Sequence, residues 1–178
     1  MTEREFYGDK EFPWMPENMK RDFGLFNVFN LIPEMIEQAE SPSYHRKDYY
    51  KISLIEGSGT FIYDGEEIAI ETNSIVFLDS QVPYGELQTV NLKNAYVCVF
   101  DQAFFHQTKS ISSYSVFQPG NNIFQLDTEQ FLDLKNIYQR MLQEIESDYI
   151  YKYDLLRTLV TELVLYTIKM KSASKLSN

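Results

Sequence analysis

Cysteine and histidine are the scarcest reactive residues in this sequence: its 178 residues include one cysteine, Cys98, and two histidines. A single cysteine excludes a disulfide framework within the chain. Cys98 lies in the apolar run 95–100, which favours a buried thiol packed as a small apolar group over a nucleophile. A transition-metal site needs about three protein ligands, and His45 and His106 lie far apart in the sequence. The sequence therefore predicts no metal, no cofactor and no catalytic residue.

Basic residues and long apolar runs are also scarce. Lysine and arginine total 16 against 26 acidic residues, for a net charge of −10. Because duplex DNA is bound through clustered positive charge, we expect no nucleic-acid binding by this chain alone. No apolar run approaches the roughly 20 residues of a membrane helix, and the N-terminus begins with charged residues, unlike a signal peptide. We therefore expect a cytoplasmic protein with no membrane contact.

Aromatic residues, by contrast, are plentiful, with 13 phenylalanines, 13 tyrosines and one tryptophan. They fall in short apolar stretches over 23–32 and 49–100, separated by turn-forming residues. The expected turns are 56–59, Asp64-Gly65, 72–73 and 91–94. Short strands at this spacing predict a mainly β chain folded as a barrel or sandwich.

Two helices are predicted after the strands. Asp127 precedes Gln130 by three residues and forms a plausible capping pair for the first helix, and 147–149 separates it from a second helix over about 153–170. One stripe of the second helix has coiled-coil spacing: Leu156, Leu159, Leu163, Tyr166 and Met170. A second stripe is formed by Val160, Val164 and Ile168. Two stripes favour two partners, one of them a second subunit; the alternative is one deep groove in the same chain.

The strand and turn pattern resembles the barrel of the cupin superfamily, through Gly57 and Gly59, Asp64-Gly65, 75–78 and Val82-Pro83. The stretches 45–55 and 147–157 are similar to the N-terminal domain of AraC-type transcriptional regulators, of the kind found in Bacteroides relatives. The resemblance covers most of 23–170. It implies a cupin-like (double-stranded β-helix) barrel, mainly β, followed by a two-helix dimerisation element.

The resemblance also implies an organisation and a function. The expected segments are an N-terminal arm (1–20), the barrel (21–105), a connecting segment (106–127), the two-helix element (128–170) and the start of a linker (171–178). The linker would lead to an absent C-terminal helix-turn-helix domain that binds DNA. Regulators of this type are homodimers that sense a small-molecule effector, such as a sugar, in the barrel. By position, the candidate ligand contacts are Trp14, His45, Arg46, Lys51, Tyr84 and Glu86.

Two other functions stay open at this point. A metal-free cupin enzyme of the sugar isomerase type would need a general base and acid aimed into the barrel, and His45 with Tyr84 is the pair that could supply them. A non-catalytic interaction module would need only a barrel filled by its own side chains.

Overall fold

The computed structural model describes residues 26–32, 49–79, 81–82, 88–105 and 113–176. These residues form one antiparallel sheet followed by two α-helices. The strands are β1 (Phe26–Leu31), β2 (Tyr50–Tyr63), β3 (Glu66–Ile70), β4 (Ser74–Leu78), β5 (Gln88–Phe100) and β6 (Ile123–Gln125). The helices are α1 (Thr128–Ile145) and α2 (Lys152–Leu176). A mainly β fold with C-terminal helices is confirmed, but the described strands form an open sheet and not a closed barrel.

Strand β2 organises the sheet. The strand order is β1-β5-β2-β4-β6, and β3 pairs with the distal part of β2. Along one edge β2 pairs with β5, and along the other it pairs first with β4 and then with β3. The short strand β6 pairs with β4. The segment 106–127, expected as a connection only, therefore contributes a strand to the sheet.

Two predicted turns are wrong. Both 56–59 and 91–94 lie inside long strands, β2 and β5, which pair with each other across these positions. The register shifts at Glu56/Gly57 and again at Ser58/Gly59. At each shift one residue of β5, Lys93 and then Val90, has no opposite residue in β2, so β5 carries the bulges. Gly57 faces the first bulge at a φ of 126°, which glycine adopts without strain. The amide N–H of Gly57 donates to the side-chain oxygen of Asn73 at 3.1 Å.

The predicted hairpin at Asp64-Gly65 is confirmed. Both residues have positive φ, 51° and 80°, as a type I′ turn requires. The turn joins β2 to β3 with Tyr63 opposite Glu66.

The predicted cap of the first helix is also confirmed. The Asp127 carboxylate accepts the amide N–H of Gln130 at 2.8 Å, and the Gln130 side chain accepts the amide N–H of Asp127 at 3.0 Å. This capping box satisfies two of the otherwise unpaired donors at the helix start. The buried side of α1 then packs on the sheet through Phe131, Leu134, Ile137, Tyr138 and Met141.

Gly57 and Gly65 provide a matched test of the bulge. A Cβ on Gly57 would lie 2.1 Å from the Asn91 backbone oxygen, whereas a Cβ on Gly65 would meet nothing within 4 Å. We expect Gly57→Ala to lower the free energy of unfolding by about 3 kcal/mol or more, through strain and overlap with β5. Gly65→Ala should cost only about 1–2 kcal/mol, the price of left-handed backbone. Urea unfolding measures the free energy of unfolding of both variants. Equal losses of stability would contradict the close contact between Gly57 and β5.

Candidate ligand-binding site

The sheet has two chemically different faces. Side chains alternate across a strand, and one set, including Val28, Ile52 and Cys98, packs in a single core cluster with α1 and α2. We call this side the helix face. The residues between them point to the opposite side, which we call the inner face.

The inner face consists of two cross-strand rows defined by the pairing register. The first row is Asn27, Val99, Lys51 and Leu78. The second row is Phe29, Val97, Ser53 and Val76. Seven of these eight side chains are buried, and the eighth, Lys51, is partly buried. A sheet face that is buried and still carries polar groups is the strongest site candidate among the described residues.

Three of these inner-face residues are polar: Asn27, Lys51 and Ser53. Asn27 and Ser53 expose only 6% and 7% of their surface. Asn27 accepts the amide N–H of Val28 through Oδ1 at 2.8 Å, but its Nδ2 has no hydrogen-bond partner. An unpaired buried donor costs about 1–3 kcal/mol, so Asn27 is a poor choice for a purely structural position.

The three polar residues share one face of neighbouring strands. One strand, β5, separates Asn27 from Lys51, which places their Cα atoms about 9.6 Å apart. Lys51 and Ser53 follow each other on the same face of β2, about 6.7 Å apart. We call Asn27, Lys51 and Ser53 the polar patch. Ammonium, amide and hydroxyl groups all donate hydrogen bonds, so the patch can hold an oxygen-rich group.

Of the predicted ligand contacts, the structure places Lys51 on this face. Trp14, His45, Arg46, Tyr84 and Glu86 lie outside the described residues, so their roles stay predictions. Sequence reasoning missed Asn27 and Ser53. The available signal was a polar residue inside an otherwise apolar strand, but which face it occupies depends on the strand register.

Cys98 is a structural residue on the helix face. It is fully buried, and its Sγ lies 3.9 Å from the Tyr138 hydroxyl, which donates to the Ile52 carbonyl at 2.7 Å. Burial raises the pKa of Cys98 from 9.0 to about 12 and that of Tyr138 well above 10. A thiol with so high a pKa is a poor nucleophile. The Tyr138 hydrogen bond instead ties α1 to the beginning of β2.

Helix α2 is anchored by two cations. Arg157 donates through Nε to the Phe104 carbonyl, and its guanidinium lies 4.9 Å from the Phe104 ring centre. About four turns further along the helix, Lys171 donates to the Asn121 carbonyl and lies 5.9 Å from the centre of the Phe124 ring. These bonds fix α2 to the segments that follow β5 and precede β6.

The structure corrects the expected seam of α2. Leu156, Leu159, Leu163 and Met170 belong to the chain's own core and expose 0–8% of their surface. Val160 and Val164, from the second stripe, are buried in the same cluster. Both stripes therefore pack within the core of the same chain, where α2 lies against α1. Of the five seam residues only Tyr166, at 37%, is exposed.

No group of three or more histidine, cysteine, aspartate or glutamate side chains could hold a metal ion within 26–32, 49–79, 81–82, 88–105 and 113–176. In that same part of the chain, no helix has the length and apolarity needed to cross a membrane.

Comparison with known proteins finds similarity at the level of structure. No protein-family model matches the chain, and no curated protein matches its sequence. A variant of ToxT from Vibrio cholerae is 14% identical, with 82% of this chain and 55% of that chain covered at a TM-score of 0.46. The AraC-like transcriptional activator CuxR is 12% identical, with coverages of 79% and 49% and a TM-score of 0.44. A predicted oxalate decarboxylase from Thermotoga maritima is 20% identical, with coverages of 43% and 64% and a TM-score of 0.31. This chain thus spans about half to two thirds of their lengths.

The buried Cys98 thiol predicts a loss of stability in alkali. Its pKa of about 12 in the fold exceeds the ordinary value of 9.0, so the unfolded chain releases this proton first. The stabilisation is complete below pH 9 and declines between about pH 9 and 12, by roughly 1 kcal/mol at pH 10. Urea unfolding at pH 7.5 and pH 10 should show a smaller decline for Cys98→Ala than for wild type. Parallel declines would contradict the role of Cys98.

Leu163 and Leu165 provide a matched test of the α2 packing. Leu163 is fully buried and Leu165 is 46% exposed. Leu163→Glu removes apolar burial worth about 1.5–3 kcal/mol and buries an unpaired charge at a further cost of several kcal/mol, so we expect an unfolded chain. Leu165→Glu should change the free energy of unfolding by only about 0.5 kcal/mol. Circular dichroism with thermal melting measures both, and a folded Leu163→Glu variant would refute this placement of α2.

Proposed function

We propose that this chain is the effector-sensing and dimerisation domain of an AraC-type transcriptional regulator, with a cupin-like sheet that binds a small molecule. The observation that carries the proposal is the polar patch of Asn27, Lys51 and Ser53 on a buried sheet face. The order of elements, strands first and then two packed helices, and the sequence resemblance support the same assignment. In such a regulator a separate domain binds DNA, consistent with the net charge of −10 here.

The connection between the two faces of β2 supports a sensing role. Lys51 and Ser53 of the polar patch flank Ile52, whose carbonyl accepts the Tyr138 hydroxyl of α1. A ligand that moves β2 at the patch would therefore move a hydrogen bond to the helix pair. Helix α1 is linked to α2 by shared core packing and by an ion pair between Arg140 and Glu162 at 2.9 Å. This route carries a signal from the inner face to α2.

Dimerisation would use the exposed side of α2. Leu155, Leu165 and Tyr166 are 39%, 46% and 37% exposed. Leu155 and Tyr166 are separated by about three helical turns and so lie along one line of the helix. A two-fold interface must be self-complementary, which one helix stripe packed against its copy satisfies.

The proposal is tested by screening small metabolites for thermal stabilisation of the chain, with Lys51→Met as the counter-screen. An effector should raise the melting temperature of wild type, because binding to the folded state stabilises it, and should raise that of Lys51→Met much less. Sedimentation velocity should give a dimer for wild type and a monomer for Tyr166→Glu, which places a charge on the line of α2 that would meet its copy. A chain that stays monomeric and responds to no metabolite would overturn the proposal.

A further inference from the structure

The turn between α1 and α2 carries a contiguous group of exposed apolar side chains. Among the described residues, ten large apolar side chains are exposed, and five of them fall within 149–155. Tyr149, Ile150 and Tyr151 are the most exposed of the five, at 53%, 82% and 57%. Exposed apolar residues scattered singly are ordinary, but a contiguous group marks a contact surface. We call Asp148, Tyr149, Ile150, Tyr151 and Asp154 the tyrosine turn.

Hydrogen bonds order the backbone of the tyrosine turn. Ser147 Oγ donates to Glu144 Oε1 at 2.9 Å and accepts the amide N–H of Tyr149 at 3.4 Å. The Tyr149 carbonyl accepts the amide N–H of Lys152 at 3.1 Å. The rings of Tyr149 and Tyr151 lie edge to face, with their centres 5.8 Å apart. Because an ordered surface loses little conformational entropy on binding, this arrangement favours a contact role.

The tyrosine turn is acidic, and the cations beside it are used within the chain. The range 144–155 contains four acidic residues and one lysine, for a net charge of −3. Lys152 Nζ donates to two carbonyls at and just beyond the end of α1, at 3.3 and 3.2 Å. Asp148 is exposed, and 70% of the Asp154 side chain is exposed although it pairs with Arg157. Carboxylates beside exposed aromatic rings favour a cationic partner.

Charge and shape distinguish the possible occupants of the tyrosine turn. A second copy placed turn against turn would bring two negative surfaces together, and nucleic acids and anionic membranes would be repelled. Arginine fits best, because its planar guanidinium stacks on an aromatic ring and also pairs with carboxylates. Ile150 adds an apolar side chain that a partner can receive only in an apolar pocket.

We propose that the tyrosine turn binds a protein surface that carries arginines beside an apolar pocket. Guanidinium groups stack on the rings of Tyr149 and Tyr151 and pair with the carboxylates of Asp148 and Asp154, while Ile150 enters the pocket. Tyrosine and arginine are the residues that most often dominate the binding energy of interfaces. The turn joins the two helices of the helix face, opposite the polar patch, so the proposal is independent of ligand sensing.

The test is fluorescence anisotropy of a labelled twelve-residue peptide of repeated Arg-Ala-Leu, titrated with the full chain. A peptide with citrulline in place of arginine keeps the planar group and lacks the charge, and one with lysine keeps the charge and lacks the planar group. We expect a Kd below about 100 μM for the arginine peptide and at least about tenfold weaker binding of the citrulline peptide. The lysine peptide should fall between them.

Matched variants locate the binding site. Tyr149→Ser combined with Tyr151→Ser should raise Kd by about 5- to 30-fold, because two cation–π contacts are lost. Leu132→Ser removes an equally exposed apolar side chain, at 54%, from α1 and should leave Kd unchanged. Asp148→Asn should raise Kd by about 2- to 5-fold. Asp133→Asn makes the same change of charge at an exposed position of α1 and should not.

Circular dichroism checks that each variant is folded; if the double tyrosine variant does not fold, Ile150→Ser replaces it, with an expected rise in Kd of about fivefold. Equal losses in the turn variants and their α1 controls would indicate general attraction to an acidic chain and overturn the proposal. Equal binding of the arginine and citrulline peptides would do the same, as would no binding up to about 1 mM. If sedimentation velocity shows that the double variant loses self-association, the occupant is a second copy and the proposal fails.

Discussion

The fold depends on the pairing of β2 along both of its edges. This strand is hydrogen-bonded along both edges, to β5 on one side and to β4 and then β3 on the other. A strand paired on both edges leaves few backbone groups to satisfy elsewhere, so both of its faces are available for side-chain packing. One face receives the helices and the other carries the polar patch. The polar patch and the helices that pack on the sheet thus lie on opposite faces of the same strand.

A short sequence motif predicts local structure correctly where its side chains fit only one backbone geometry. Asp64-Gly65 indicates a type I′ turn because both positions need positive φ, and Asp127 with Gln130 indicates a helix start because both side chains satisfy backbone donors there. Glycine at 57 and 59 was ambiguous, since it serves equally in turns and bulges. The continuation of the strand follows from its pairing with β5. Because β5 lies more than 30 residues away in the sequence, no motif near Gly57 could have indicated this pairing.

The candidate site was predictable only in part, for a related reason. Lys51 stood out as a charged residue in an apolar strand, but Asn27 and Ser53 gain meaning only once the register of three strands places them beside it. The stripes of α2 were visible, yet a periodic pattern shows which residues are buried and not what covers them. The cover proved to be the chain's own core, with α1 packed against α2.

The cationic anchors of α2 have a mechanical consequence. Apolar packing resists separation of a helix from its groove but opposes sliding and tilting weakly, whereas a hydrogen bond to a carbonyl is directional. Arg157 and Lys171 therefore act as two pivots on a rod of 25 residues, about 37 Å long. A shift of the Phe104 carbonyl relative to the Asn121 carbonyl would turn the whole rod, and a tilt of about 5° about Arg157 displaces the helix end, about 28 Å away, by about 2.5 Å. The helix therefore transmits a displacement of its anchors to its own terminus, about 1.4-fold enlarged, as a rigid lever arm does.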